Sequence, residues 1–237
     1  MTDIKDKVIL ITGGSKGIGL GIATKLLEDG ARVAITGRDE KVVQQATKDL
    51  NSKRPDHALG LVADVRSLED QQKSVATITA KWGRLDVLVA NAGVGHFGPI
   101  ETLTEEQWHE TIDTNLTGVF FGVKAALAEL KKTKGYVITI ASLAGTNFFA
   151  GGAAYNASKF GLVGFSQAMM LDVRSAGVKV TTIMPGSVAS YFNGHEPSEA
   201  DGWKIQPEDI GQIVADLLRM NPRTLPSKVE VRPTIPK

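Results

Sequence analysis

The sequence predicts an α/β fold: a parallel sheet of about seven strands with helices on both faces. Two observations carry this. Short apolar runs alternate with longer helical patterns from Lys7 to about Val231, and alternation of that kind packs as strands covered by helices. The runs are also continuous rather than every-other-residue apolar, as in Val8–Thr12 (VILIT), which marks strands buried on both faces.

The strands expected are Val8–Thr12, Arg32–Thr36, Ala58–Ala63, Leu85–Ala90, Tyr136–Ala141 and Val178–Met184, with a weaker one at Lys228–Val231. Helical segments with apolar residues three and four apart lie between them: Ile18–Asp29, Glu40–Asn51, Leu68–Trp82, Glu105–Lys131, Ala154–Ser175 and Pro207–Met220. Asp39, Ser67, Thr104 and the pair Gln206-Pro207 are helix-start signals. No repeat, linker or low-complexity tract interrupts the pattern, so residues 1–237 read as one domain. The polar stretch Ser190–Ile205 has no clear period and reads as a short mobile loop over a ligand site.

Composition narrows the function classes. Lys plus Arg (27) nearly balance Asp plus Glu (26), so no global charge favours nucleic acid or a membrane surface. There are no cysteines, which excludes disulfides, a thiolate nucleophile and Cys-ligated zinc. The charged stretch Met1–Lys7 lacks the apolar core of a signal peptide, and no run approaches the ~18 apolar residues of a membrane span. A cytoplasmic protein is the expectation. His96 and His195 have no partner at metal-ligand spacing, so no metal site is expected.

The first strand leads into Thr12-Gly13-Gly14-Ser15-Lys16-Gly17-Ile18-Gly19, which opens the first helix. Glycines there let the backbone approach a pyrophosphate, which sits at the positive end of the helix dipole. The spacing is GxxxGxG, not the usual GxGxxG. It also fails GxxxxGK[ST], because Lys16 precedes Gly17, and this disfavours ATP chemistry. A Rossmann-type dinucleotide unit is implied. The second strand ends at Gly37-Arg38, where an acidic residue would bind a free ribose. A guanidinium at Arg38 suits a 2′-phosphate, with Lys16 within reach. That favours NADP(H), although Asp39 could serve a free ribose if the register slips, and Arg38 could be merely solvated.

On a helix, Tyr155 and Lys159 of Tyr155-Asn156-Ala157-Ser158-Lys159 stand on one face, a turn apart. A nearby ammonium lowers a phenol's pKa, making it a usable proton donor and acceptor. Ser142, ending the fifth strand, can hydrogen-bond a substrate oxygen. Asn115 lies mid-helix, where its propensity is poor; a local break there would free backbone groups to hold a water.

TGxxxGxG followed by YxxxK resembles the short-chain dehydrogenase/reductase family, over Lys7 to about Met220. The resemblance implies a doubly wound sheet of strand order 3-2-1-4-5-6-7 and NADP(H) chemistry between a ketone or aldehyde and a secondary alcohol. It assigns catalysis to Asn115, Ser142, Tyr155 and Lys159, the asparagine through a proton relay to the lysine. It places cofactor contacts at Gly13, Ser15, Lys16, Gly17, Ile18, Gly19, Arg38, Asp64, Val65, Asn91, Ala92, Gly93, Tyr155 and Lys159. Pro185, Gly186, Val188 and Ser190 complete the set, Ser190 standing where the family has threonine.

Substrate contacts are expected from loop residues His96, Phe97, Asn147 and Phe148, from Ser142 and Tyr155, and from residues 190–203. Phe148 and Phe149 would either line an apolar pocket or plug a core. A 3-oxoacyl-carrier or CoA reductase is the nearest alternative, although the end of the chain, Leu225–Pro233, lacks the Gly-Gly segment typical of those enzymes. A non-catalytic NADP(H) sensor is the alternative of another class, but it would be expected to lose Tyr155 or Lys159. The small residues Ala157, Gly161, Gly164 and Ala168 form a stripe that admits a second helix closely, as in the family's homodimers and homotetramers.

Overall fold

A computed structural model describes residues 3–236; Met1 and Thr2 of the amino-terminal stretch, and Lys237, lie outside the described residues. Seven parallel strands form one sheet: β1 (Val8–Ile11), β2 (Arg32–Gly37), β3 (Ala58–Val62), β4 (Val87–Ala90), β5 (Tyr136–Ile140), β6 (Lys179–Pro185) and β7 (Lys228–Val231). Their order is β3-β2-β1-β4-β5-β6-β7, the doubly wound arrangement expected. The order reverses between β1 and β4, and the crevice outside that point is where open sheets of this kind bind ligands.

Period-two alternation sorts the strand residues between two apolar layers. Ile9 and Ile11 of β1 face α1 (Gly17–Glu28), α2 (Glu40–Lys53) and α7 (Pro207–Arg219), joining Ile22, Leu26, Leu50 and Val214. Val8 and Leu10 face α3 (Leu68–Trp82), α5 (Gly118–Thr133) and α6 (Ala153–Val173), joining Ile78, Val123, Ala126 and Leu162. Both faces of β1 are thus dry, and its burial is complete.

The helix starts carry the side-chain caps that the sequence suggests. Asp39 accepts from the Val42 amide, Ser67 from Asp70, and Thr104 forms a reciprocal box with Gln107. Gln206 and Asp209 cap α7 in the same way, with Pro207 in its first turn. Asp39 caps α2 through its Oδ1, a role that a carboxylate, with two oxygens, can combine with the alternative one at a ribose.

One helix departs from expectation. The segment read as Glu105–Lys131 is α4 (Glu105–Ile112), a π-helical turn over Asp113–Thr117, and α5. Asn115 sits at the centre of that turn, buried. A π-turn widens the helix by one residue and disturbs its i→i−4 ladder, which is the local break anticipated at this asparagine.

Candidate active site

The carboxyl ends of β1, β2, β4, β5 and β6 open onto one cleft of about 670 Å³. Its phosphate end is shaped by glycine. Gly13 and Gly17 have φ of +63° and +54°, a left-handed conformation that side chains resist. A β-carbon at Gly13 would lie 2.9 Å from the Ala92 Cα, so the loop depends on a bare backbone to pass β4. Asn91 fixes the two strand ends together. Its side-chain amide donates to the Thr12 and Gly13 carbonyls (2.9 and 3.1 Å), and Thr12 Oγ1 accepts from the Asn91 and Ala92 amides.

Gly13, Ser15, Lys16, Gly17, Ile18, Arg38, Asp64, Val65, Asn91, Ala92 and Gly93 line the cleft, as do Tyr155, Lys159, Pro185, Gly186, Val188 and Ser190. Gly19 does not. It lies behind the loop, where a β-carbon would press on the Gly13 carbonyl and come within 2.6 Å of Asn91 Nδ2, so its part is close packing. At Gly37 a β-carbon would meet Val43 Cγ2 at 2.9 Å and Ser15 Oγ at 3.0 Å. The place where an acidic side chain would meet a free ribose is therefore bare, and a side chain there would press on Val43 and Ser15. Arg38, half exposed, reaches Glu110 Oε1 at 3.6 Å, and the other oxygen of Glu110 meets His96 Nε2 at 2.8 Å. Asp64 is held below the usual carboxylate range by the Arg66 guanidinium, against an opposing contribution from partial burial.

Asn115 stands behind the cleft wall. Its Oδ1 accepts from the Val94 amide (2.8 Å), and its Nδ2 donates to the Val94 carbonyl (2.9 Å) and to Ser158 Oγ (3.0 Å). The Ser158 hydroxyl donates to the Tyr155 carbonyl at 2.8 Å. The π-turn thus ties the loop after β4 to the helix that carries Tyr155 and Lys159.

Tyr155 and Lys159 do share a face of α6, with the ammonium 5.6 Å from the phenol ring centroid. Lys159 is buried, and its Nζ donates to the Ile140 carbonyl at 3.1 Å. Burial lowers its pKa from the ordinary 10.5 to about 8. The expectation that the amine lowers the phenol meets a stronger opposing effect here. Burial raises the Tyr155 pKa, and a hydrogen bond with Ser142 only partly offsets this. Among the protein's own groups, then, the phenol stays protonated.

The substrate-side expectations fare unevenly. Phe97 stands edge-on to Tyr155, ring centroids 5.3 Å apart. His96 is turned to Glu110 and does not line the cleft. Asn147 donates to the Leu143 carbonyl and is exposed. Phe148 is 86% exposed, so it neither lines the cleft nor plugs a core, and Phe149 packs on Phe97 at the surface. Aromatic identity signals a wish for burial but not the direction in which a loop points. Phe192, within the stretch 190–203 but not singled out there, stands 5.6 Å from Tyr155 and lines the cleft with Tyr191. Lys204, inside the expected loop Ser190–Ile205 but not named there individually, is a cleft residue as well.

A profile of the short chain dehydrogenase family matches residues 7–201. The chain is similar to the 3-oxoacyl-acyl-carrier-protein reductase of Vibrio cholerae, 37% identical over 187 residues (78% of this chain, 75% of that one). Among solved structures, it resembles a metagenomic short-chain oxidoreductase in complex with NADP, at 34% identity and TM-score 0.86, covering 99% of this chain and 100% of that one. An alcohol dehydrogenase from the archaeon Thermococcus sibiricus, complexed with 5-hydroxy-NADP, superposes with TM-score 0.93 at 28% identity, covering 98% and 99% of the two chains. With a match over most of its length and the cleft just described, the chain belongs to the short chain dehydrogenase family.

Proposed function

We propose that the chain is an NADP(H)-dependent oxidoreductase interconverting a ketone or aldehyde with a secondary alcohol, in one catalytic domain. The carrying observation is Tyr155 and Lys159 on one face of α6, with Ser142 in the same wall, at the inner end of a glycine-shaped cleft. The fit to a dinucleotide rests on the bare backbone at Gly13 and Gly17, and on the buried hydroxyls of Thr36 and Thr114, cleft residues that find no partner among the described residues. The resemblance to NADP-bound structures supports the same reading.

A bound nicotinamide supplies hydride donation or acceptance. The protein's residues handle the proton and the charge. In reduction, the protonated Tyr155 hydroxyl donates to the carbonyl oxygen, while the Ser142 hydroxyl stabilises charge developing there. Lys159, buried and cationic below about pH 8, favours the phenolate left behind. Asn115 holds the loop and α6 in register, and the π-turn around it offers a route for protons toward the lysine. The bare backbone at Gly37 with a guanidinium at Arg38 favours the 2′-phosphorylated cofactor. The Vibrio relative makes 3-oxoacyl thioesters the second substrate class to test.

Of the stripe, Ala157, Gly164 and Ala168 are exposed on α6 and nothing lies within 4 Å of a β-carbon built at Gly164, whereas Gly161 is half-buried against Leu116 of the same chain. Phe120 of α5 and Phe160 and Leu171 of α6 are exposed as well. We assign these residues to a homo-oligomeric interface. Light scattering at micromolar concentration is expected to give a dimer or tetramer, and a monomer would refute the interface.

Tyr155→Phe is expected to cut turnover in an NADPH-coupled carbonyl panel by about 10²- to 10⁴-fold while nucleotide binding, read by fluorescence, persists. Normal turnover in that variant would overturn the mechanism. Arg38→Ala is expected to raise the KM for NADPH about tenfold or more and to leave that for NADH nearly unchanged; an unchanged KM for NADPH would refute the cofactor assignment. The Lys159 pKa gives a stability test. Its folded value of about 8 lies below the ordinary 10.5, so between those values the unfolded chain binds more protons and stability rises with pH. Melting temperatures of wild type and Lys159→Met across pH 7.5–10.5 are expected to shift in favour of wild type as pH rises. Parallel curves would show that the amine is not desolvated.

A further inference from the structure

The segment between β6 and α7 closes on itself. Val188 and Ile205 pair as a parallel bridge, the Ala189 amide donates to the Ile205 carbonyl (2.9 Å), and the Ile205 amide donates to the Ser187 carbonyl (3.1 Å). The loop so formed encloses Asp201, whose side chain is only 7% exposed. Its carboxylate accepts from the Ser198 amide at 3.0 Å, meets His195 Nε2 at 2.7 Å and Lys204 Nζ at 2.6 Å. Those partners, the lysine foremost, hold the Asp201 carboxyl far below the usual range. His195 and Lys204 both form part of the cleft wall, whereas Asp201 stands behind them.

Nothing in the proton-transfer chemistry at Tyr155 uses this cluster. Its place suggests another use. Lys204 adjoins Ile205, which pairs beside Ser187–Ala189, and Ser190 lies against the glycine loop, 3.4 Å from a β-carbon built at Gly17. The lysine thus shares the cleft wall with Gly17 and Ile18 in the first turn of α1, where free amides and the helix dipole favour an anion. An ammonium has further donor protons once one is given to Asp201. Anchored to a buried carboxylate, it also loses less freedom on meeting an anion than a solvated lysine would.

We propose that Lys204, oriented by Asp201, is a cofactor-binding residue that contacts the diphosphate of the dinucleotide from the loop side. The proposal rests on the reading that a nicotinamide dinucleotide occupies the cleft. It differs from the assignment of Arg38 in a measurable way. The diphosphate is common to both nicotinamide dinucleotides, whereas only one of them carries the 2′-phosphate, and adenosine 2′-monophosphate has the 2′-phosphate with no phosphate at the 5′ position.

Calorimetric titration of the full chain with NADPH, NADH and adenosine 2′-monophosphate tests it. Lys204→Met is expected to raise the Kd of both dinucleotides by the same factor, about tenfold, and to spare the monophosphate. Lys204→Arg, which keeps the charge, is expected to stay within roughly threefold of wild type. Arg38→Ala gives the opposite pattern, weakening NADPH and the monophosphate while sparing NADH. Unchanged dinucleotide affinities in Lys204→Met would overturn the proposal, and so would an equal loss for the monophosphate, which would mean a collapsed loop. A wild-type chain that binds neither dinucleotide would instead overturn the reading of the cleft.

Discussion

A primary amine removed from water governs the arrangement around the cleft. Lys159 is buried, and its hydrogen bond among the described residues goes to a main-chain carbonyl, that of Ile140. Stripping an ammonium of solvent costs several kcal/mol (on the order of those for other buried ions), so the neighbouring groups have to be held where they offset it. Asn115 satisfies both main-chain groups of Val94 and grips Ser158, and Ser158 grips the Tyr155 carbonyl. The same dryness moves the two titrating groups in opposite senses, the amine down and the phenol up.

The sheet makes this local chemistry reachable. In a parallel sheet every strand delivers its carboxyl end to the same edge, so residues far apart in sequence arrive together. Thr12 and Asn91 show how tightly: two strand ends share four hydrogen bonds across 79 or so positions of chain. That latch sets the distance between the glycine loop and β4, and with it the width of the cleft at its phosphate end.

Much of this was open to reading from residue order, for physical reasons. Strands buried on both faces give unbroken apolar runs, and capped helices announce their starts, so Asp39, Ser67 and Thr104 were sound markers. Tyr155 and Lys159 are linked by helical geometry, which spacing encodes. Contacts made by irregular backbone are not so encoded. His195, Asp201 and Lys204 meet only because Ile205 folds back on Val188, and a polar loop gives no period from which to foresee it. Phe148 shows the converse: its apolar ring suggested a pocket or a plug, and it stands in solvent.

The widened turn at Asp113–Thr117 has one more consequence. A single additional residue accommodated inside a helix rotates everything beyond it by about 100° relative to an uninterrupted one. The direction in which α5 presents Val119, Val123 and Ala126 to the sheet is thus set by the same irregularity that holds Asn115. Straightening the turn with every residue retained would swing an entire apolar stripe away from the strands it covers, whereas deleting one residue would heal the helix, leave that stripe in place and dismantle the seat of Asn115.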